Sequence, residues 1–185
     1  MQLAGSTFVN LAEVPAATLP VATVVQIEPV GRRRLAGHAS PVLQRAGVRA
    51  EAPPALMAFG AFCTLVGALR PPVALHLQGE GEPLLHPRFF DMVAFAAGRG
   101  LDVSATTRMP GLSARRAEEC VQSGLARLHV LLGANPSTLA RRGMARLEEA
   151  KRRLGSARPE VILADAPPAL SPAARIAFSG KLVRK

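Results

Sequence analysis

The chain has 185 residues, 49% of them hydrophobic and 19% charged, enough for one sizeable core and too little for two large domains. Its two cysteines, Cys63 and Cys120, exclude a disulfide-stapled scaffold and a self-contained four-cysteine metal or cluster site, and this usage points to a cytoplasmic setting. The net charge of +10 suggests a polyanion partner, but 20 Arg against 3 Lys beside abundant Ala, Gly and Pro is also what a GC-rich coding sequence produces. The excess is C-terminal: residues 1–100 carry eight basic and six acidic groups, residues 101–185 fifteen and seven. No Trp or Tyr is present and the seven Phe lie mostly in apolar runs, so no platform for stacking bases is visible and nucleic acid is disfavoured. The first 25 residues lack Lys and Arg, unlike a signal peptide, and the longest apolar run, residues 55–69, is too short to span a bilayer. No membrane partner is expected.

In chain order, residues 21–28 read as a strand, 55–69 as a buried helix and 73–78 as a second strand. Phe89, Met92, Val93 and Ala96 then recur at i, i+3, i+4, i+7, a helix stopped by Gly98 and Gly100. A third strand at 102–107 leads to Ser113 as N-cap, with Ala114, Ala117, Cys120 and Val121 on one helical face before Gly124. A fourth strand at 127–132 leads through Asn135-Pro136-Ser137 into a helix at 138–154. Its expected outer face pairs Glu148 with Arg152 and Glu149 with Arg153, and its inner face holds Met144, Leu147, Ala150 and Leu154. Residues 160–164 begin a fifth strand. Strand starts 25 to 33 residues apart are one βα unit in length, and short apolar strands buried on both faces suit a parallel sheet. The expected fold is therefore α/β, about five parallel strands in one domain over 1–185. An N-terminal extension (1–20), a βα core (21–165) and a C-terminal tail (166–185) divide it, and a partial barrel and a flat doubly wound sheet both fit. Ligand chemistry is expected at the C-terminal strand ends.

At the end of the second strand stands Gly79-Glu80-Gly81-Glu82-Pro83-Leu84-Leu85-His86-Pro87. The glycines free the backbone to approach a ligand, and the loop carbonyls and Glu82 can accept from an ammonium group. With Phe89-Phe90-Asp91 opening a helix, Ala105-Thr106-Thr107 closing a strand and Ser123-Gly124-Leu125-Ala126-Arg127-Leu128-His129-Val130 entering the next, the chain resembles the radical S-adenosylmethionine (SAM) superfamily over residues 21–165. The resemblance implies an incomplete radical-SAM-like partial barrel, about one βα unit short of six. It also implies a cofactor-binding set of Gly79, Glu80, Gly81, Glu82, Pro83, Thr106 and Thr107. That family binds a four-iron, four-sulfur cluster through CxxxCxxC after its first strand; anchored on Leu35, the three positions here are Arg33, Gly37 and Ser40. Arginine and glycine cannot replace thiolates, so no cluster and no metal site is expected, and S-adenosylmethionine at most weakly. Arg108-Met109 and Leu131-Leu132-Gly133 stand where the family commonly has polar contacts to SAM.

Each remaining candidate has a plainer reading. Glu80 and Glu82 could serve a retained nucleotide site or a solvated turn. His38 reads as a loop residue beside three arginines, His76 and His129 as satisfied core histidines, His86 as a cap, and Cys63 and Cys120 as small buried hydrophobes. Arg32-Arg33-Arg34 could bind an acidic partner or remain solvated. No Ser/His/Asp set, P-loop or catalytic carboxylate pair offers another enzyme class. Three functions remain: a cluster-less pseudoenzyme acting as a binding or scaffolding subunit, a SAM- or nucleotide-binding enzyme, and a basic nucleic-acid-binding protein. No catalytic residue is assigned. An unclosed sheet would also leave the strand at 160–164 as an open edge for self-association or a protein partner.

Overall fold

The computed structural model describes residues 24–31, 56–69, 73–132, 136–168 and, as backbone, 175–179. All five expected strands are present: β1 Val24–Glu28, β2 Ala74–Leu77, β3 Asp102–Thr107, β4 Arg127–Leu131 and β5 Glu160–Ala164. Between them run α1 Phe59–Ala68, a 3-10 turn Pro83–Leu85, α2 Phe89–Gly98, α3 Ala114–Gln122 and α4 Thr138–Leu154. A sixth strand, β6 Arg175–Ser179, comes from the segment the sequence left as a tail. The spatial order is β5-β4-β3-β2-β1-β6, and every pairing is parallel.

β1 to β5 lie side by side in chain order, so each crossover moves in the same direction. Crossovers of the hand that strand twist favours then place all the helices on one face. From β1 to β5 the sheet is wound one way, consistent with an incomplete barrel, and β6 returns to the far side of β1. Val25, Ile27, Leu75, Leu77, Val103, Ala105, Leu128 and Val130 form the apolar face, in one core with Phe62 and Val66 of α1, Phe89 and Met92 of α2, Cys120 of α3 and Leu147 of α4.

The other face corrects the expectation of strands apolar on both sides. Period two puts Gln26, His76, Ser104, Thr106 and His129 there, with Gln26 beside His76, His76 beside Ser104 and Thr106 beside His129 in the strand registers. The first four are buried, His129 half-buried. A parallel sheet needs both faces covered, but the cover need not be apolar when the buried groups bond one another.

Local chemistry fixes the helix ends. Ser113 and Ser137 cap α3 and α4, accepting from the amides of Arg116 (3.2 Å) and Ala140 (3.1 Å). Gly155 ends α4 at φ 62°, a left-handed conformation suited to glycine. Details of the amphipathic reading change. Ala114 is exposed, Met144 half-buried and Leu154 exposed at its helix end, whereas Leu147 and Ala150 are buried as expected. The α4 ion pairs form at i, i+3, Glu148 with Lys151 and Glu149 with Arg152, and Arg153 reaches across to Glu118 of α3. A guanidinium facing a packed neighbour has a nearer carboxylate there than on its own helix. Cys120 is buried but Cys63 only half-buried.

β5 hydrogen-bonds to β4 alone among the described residues. β6 lies at the opposite edge, in register with β1 from Val24 against Arg175 to Glu28 against Ser179. The β5 edge has no further strand partner among the described residues, and Leu163 on it is 62% exposed.

Candidate functional site

The residues singled out in sequence converge at the C-terminal ends of β1, β2 and β3. The loop 79–83 is pressed onto the exit of β1. A Cβ on Gly79 would fall 2.1 Å from Glu28 Cγ, and one on Gly81 2.2 Å from the carbonyl oxygen of Val30. The amide of Gln78 donates to Ile27 O and that of Gly81 to Val30 O, both at 3.1 Å, while the Glu80 amide donates to Glu28 Oε1 at 2.5 Å. The close backbone approach that these glycines permit is thus made to the chain itself.

Glu82 is a tie between the loop and β3. Its Oε1 accepts from Thr107 Oγ1 (2.6 Å) and the Leu84 amide (3.2 Å), and its Oε2 from the Arg108 amide (2.8 Å). Three of roughly four acceptor positions are occupied by protein donors. Pro83 is buried at the start of the 3-10 turn, and Glu80 is exposed. Thr106 and Thr107, neighbours in sequence, point to opposite faces. Thr107 faces the helices, tied to Glu82 and accepting from the Met109 amide at 2.8 Å, whereas Thr106 joins the polar face. Of the seven candidates, the structure brings Gly79, Glu80, Gly81, Glu82, Pro83 and Thr107 together at the loop and sets Thr106 on the inner side of the sheet.

The polar face has its own network. His76 is fully buried, with Nδ1 2.8 Å from Ser104 Oγ and Nε2 2.9 Å from Gln78 Oε1 and 3.0 Å from Thr106 Oγ1. Gln26 Nε2 donates to the Gln78 carbonyl at 3.1 Å. His76 is the satisfied core histidine expected from its strand position. His129 differs: its ring stands edge-on to His76, centroids 5.8 Å apart, and forms no hydrogen bond with a described residue. Burial, then the Arg127 guanidinium, lower its pKa below the usual histidine value, against the opposing pull of Glu160. Sequence reading passed over Gln26, Gln78 and Ser104. Their signal was a polar residue at every second strand position, at 26 and 28, 76 and 78, and 104 and 106.

His86 caps as expected, Nδ1 accepting from the Arg88 amide (3.1 Å) and Nε2 therefore donating to Met57 O (2.9 Å). Positions 33, 37, 38 and 40 lie outside the described residues. Cys63 sits on α1 and Cys120 on α3; burial pushes the Cys120 thiol up to about 12, against the pull of Arg116 and Lys151. Two cysteines on separate helices do not fit a cluster that takes three thiolates from one loop. Among the described residues no group of three His, Cys, Asp or Glu could hold a metal ion, and no helix is long and apolar enough to cross a membrane.

No protein-family model matches the chain, and no curated protein matches it. Among solved structures it is similar to the crystal structure of BtrN in complex with AdoMet and 2-DOIA, at 15% identity and a TM-score of 0.47 over 79% of this chain. The chain spans 57% of the length of that structure. At this distance no residue role is carried over. The class defined by fold and site is an α/β chain of parallel βα units in one open sheet, with a glycine-rich loop at the C-terminal strand ends and a polar inner face.

Proposed function

We propose that the chain is a radical-SAM-like pseudoenzyme without an iron–sulfur cluster, acting as a binding or scaffolding subunit. The observation that carries this reading is chemical. The motif resemblance places Arg33, Gly37 and Ser40 where cluster thiolates belong, and the chain's two cysteines occupy separate helices instead. Further support comes from the loop 79–83, whose close approach is to β1 and whose Glu82 is engaged in holding β3. A protein partner or a second copy completes the sheet at the open β5 edge.

The second reading, binding of SAM or a nucleotide, is favoured by the inner polar face and by His129, whose ring forms no hydrogen bond with a described residue. Two titrations separate the readings. Anaerobic reconstitution with iron and sulfide is expected to leave the chain without a stoichiometric cluster, and calorimetry to give SAM an affinity no tighter than micromolar. Stoichiometric iron and sulfide lost on replacing Cys63 or Cys120, or submicromolar SAM binding, would overturn the pseudoenzyme reading.

A further inference from the structure

We propose that the outer face of the first half of α4, with the turn leaving β3, docks an acidic protein segment that also carries apolar side chains. The proposal rests on the binding-subunit reading and names its partner by chemistry.

The charge of this region is segregated. No Asp or Glu occurs in residues 103–117 or 120–147. Packing seats α4 on the turn that leaves β3. A Cβ on Gly143 would fall 2.8 Å from Met109 Cγ and 3.5 Å from Leu112 Cβ, so the second turn of α4 rests directly on the 109–112 turn. Arg146 Nη1 reaches Leu112 O at 2.8 Å, and Arg108, next to Met109, is held by its amide on Glu82. Arg108 and Arg142 are exposed and, among the described residues, their side chains have no carboxylate partner. Arg141 and Arg146 donate to main-chain oxygens of Pro136 and Leu112. In the second half of α4, by contrast, Lys151, Arg152 and Arg153 each face a glutamate.

Helix stability does not explain this arrangement. The positive end of a helix dipole favours acids over cations in the first turn, and the effect falls off beyond it. α4 has no acid in its first turn and three arginines in its first half.

A duplex backbone is a poor match for the surface. Leu139, 56% exposed, stands at i, i+3 and i+7 with Arg142 and Arg146, so an apolar side chain shares the stripe with the two cations. Phosphates offer nothing to Leu139, and the stripe covers only about 10 Å of helix, short of the roughly six to ten phosphate contacts typical of non-specific nucleic-acid binding. Carboxylates answer the guanidinium forks in pairs, and an apolar neighbour on the same segment covers Leu139.

The test uses the full chain and fluorescence anisotropy at low ionic strength. One probe is a labelled peptide of four Glu-Glu-Leu repeats, the other a 16-base-pair DNA duplex. The peptide should bind more tightly than the duplex. Arg142→Glu with Arg146→Glu should weaken peptide binding about tenfold or more, and Leu139→Ser about threefold, with the circular dichroism spectrum unchanged. Arg152→Glu, at the paired end of α4, should stay within about twofold. Absence of peptide binding, an equal loss in Arg152→Glu, or tighter duplex binding indifferent to Leu139→Ser would overturn the proposal. None of these results alters the iron and SAM titrations, so the docking surface and the pseudoenzyme reading fail separately.

Discussion

Replacing Glu82 by Ala tests whether that carboxylate is a structural tie or a ligand group. The substitution removes the acceptor of the Thr107 hydroxyl and of the Leu84 and Arg108 amides. Thr107 is 2% exposed, so its hydroxyl loses an acceptor that water cannot readily replace, whereas Arg108 is exposed and its amide can turn to solvent. Hydrogen bonds to a charged acceptor are worth about 1.5–3 kcal/mol each. With one strongly buried and two partly replaceable, the expected loss is about 2–3 kcal/mol. In a chain of this length that lowers the melting temperature by about 5–10 °C. Thr107→Val should cost about 1–2 kcal/mol, and the double variant should fall short of the sum by about 1 kcal/mol, because the two side chains share a bond. Urea unfolding followed by far-ultraviolet circular dichroism is the appropriate assay, since the chain has no Trp or Tyr to report by fluorescence. A Glu82→Ala protein within about 0.5 kcal/mol of the parent would refute the structural role.

Three further outcomes are expected. Arg116 stacks its guanidinium 4.9 Å from the Phe90 ring centroid and donates to Leu84 O (3.1 Å) and His86 O (3.3 Å), so Arg116→Ala should lose about 1–2 kcal/mol in the same urea assay. Arg116→Lys should recover little, because an ammonium lacks the planar fork. His129 has a folded pKa below its unfolded value, so the unfolded chain binds the proton first on acidification; stability is full above about pH 6.5 and falls as the pH drops through the folded value. A proton NMR titration should place the His129 midpoint below 6.5, and His129→Gln should flatten that limb of the stability curve. Cys120 is buried with its thiol at about 12, so a thiol reagent at pH 8 should label Cys63 alone in the folded chain and both cysteines in urea.

The five βα strands and the helices after them were legible because each rests on signals within about ten residues. Apolar spacing announced Phe89, Met92, Val93 and Ala96, and Ser113 marked a helix start through a bond to its own neighbour. Tertiary structure alone decided the remainder. β6 was invisible because a parallel edge strand takes its bonds from β1, some 150 residues earlier, and nothing in residues 175–179 names that partner. Period two separated Thr106 from Thr107, but only packing tied the one to His76 and the other to Glu82. The loop glycines read as a ligand cradle in sequence because any close approach requires them; the fold showed that Glu28 and Val30 make it. The seat of α4 likewise needed Gly143 against Met109, since charge spacing along one helix does not reveal which distant turn lies beneath it. Local pattern fixes which segments become strands and helices, whereas the identity of a side chain's partner is settled by chain crossings that bring residues from different βα units into contact.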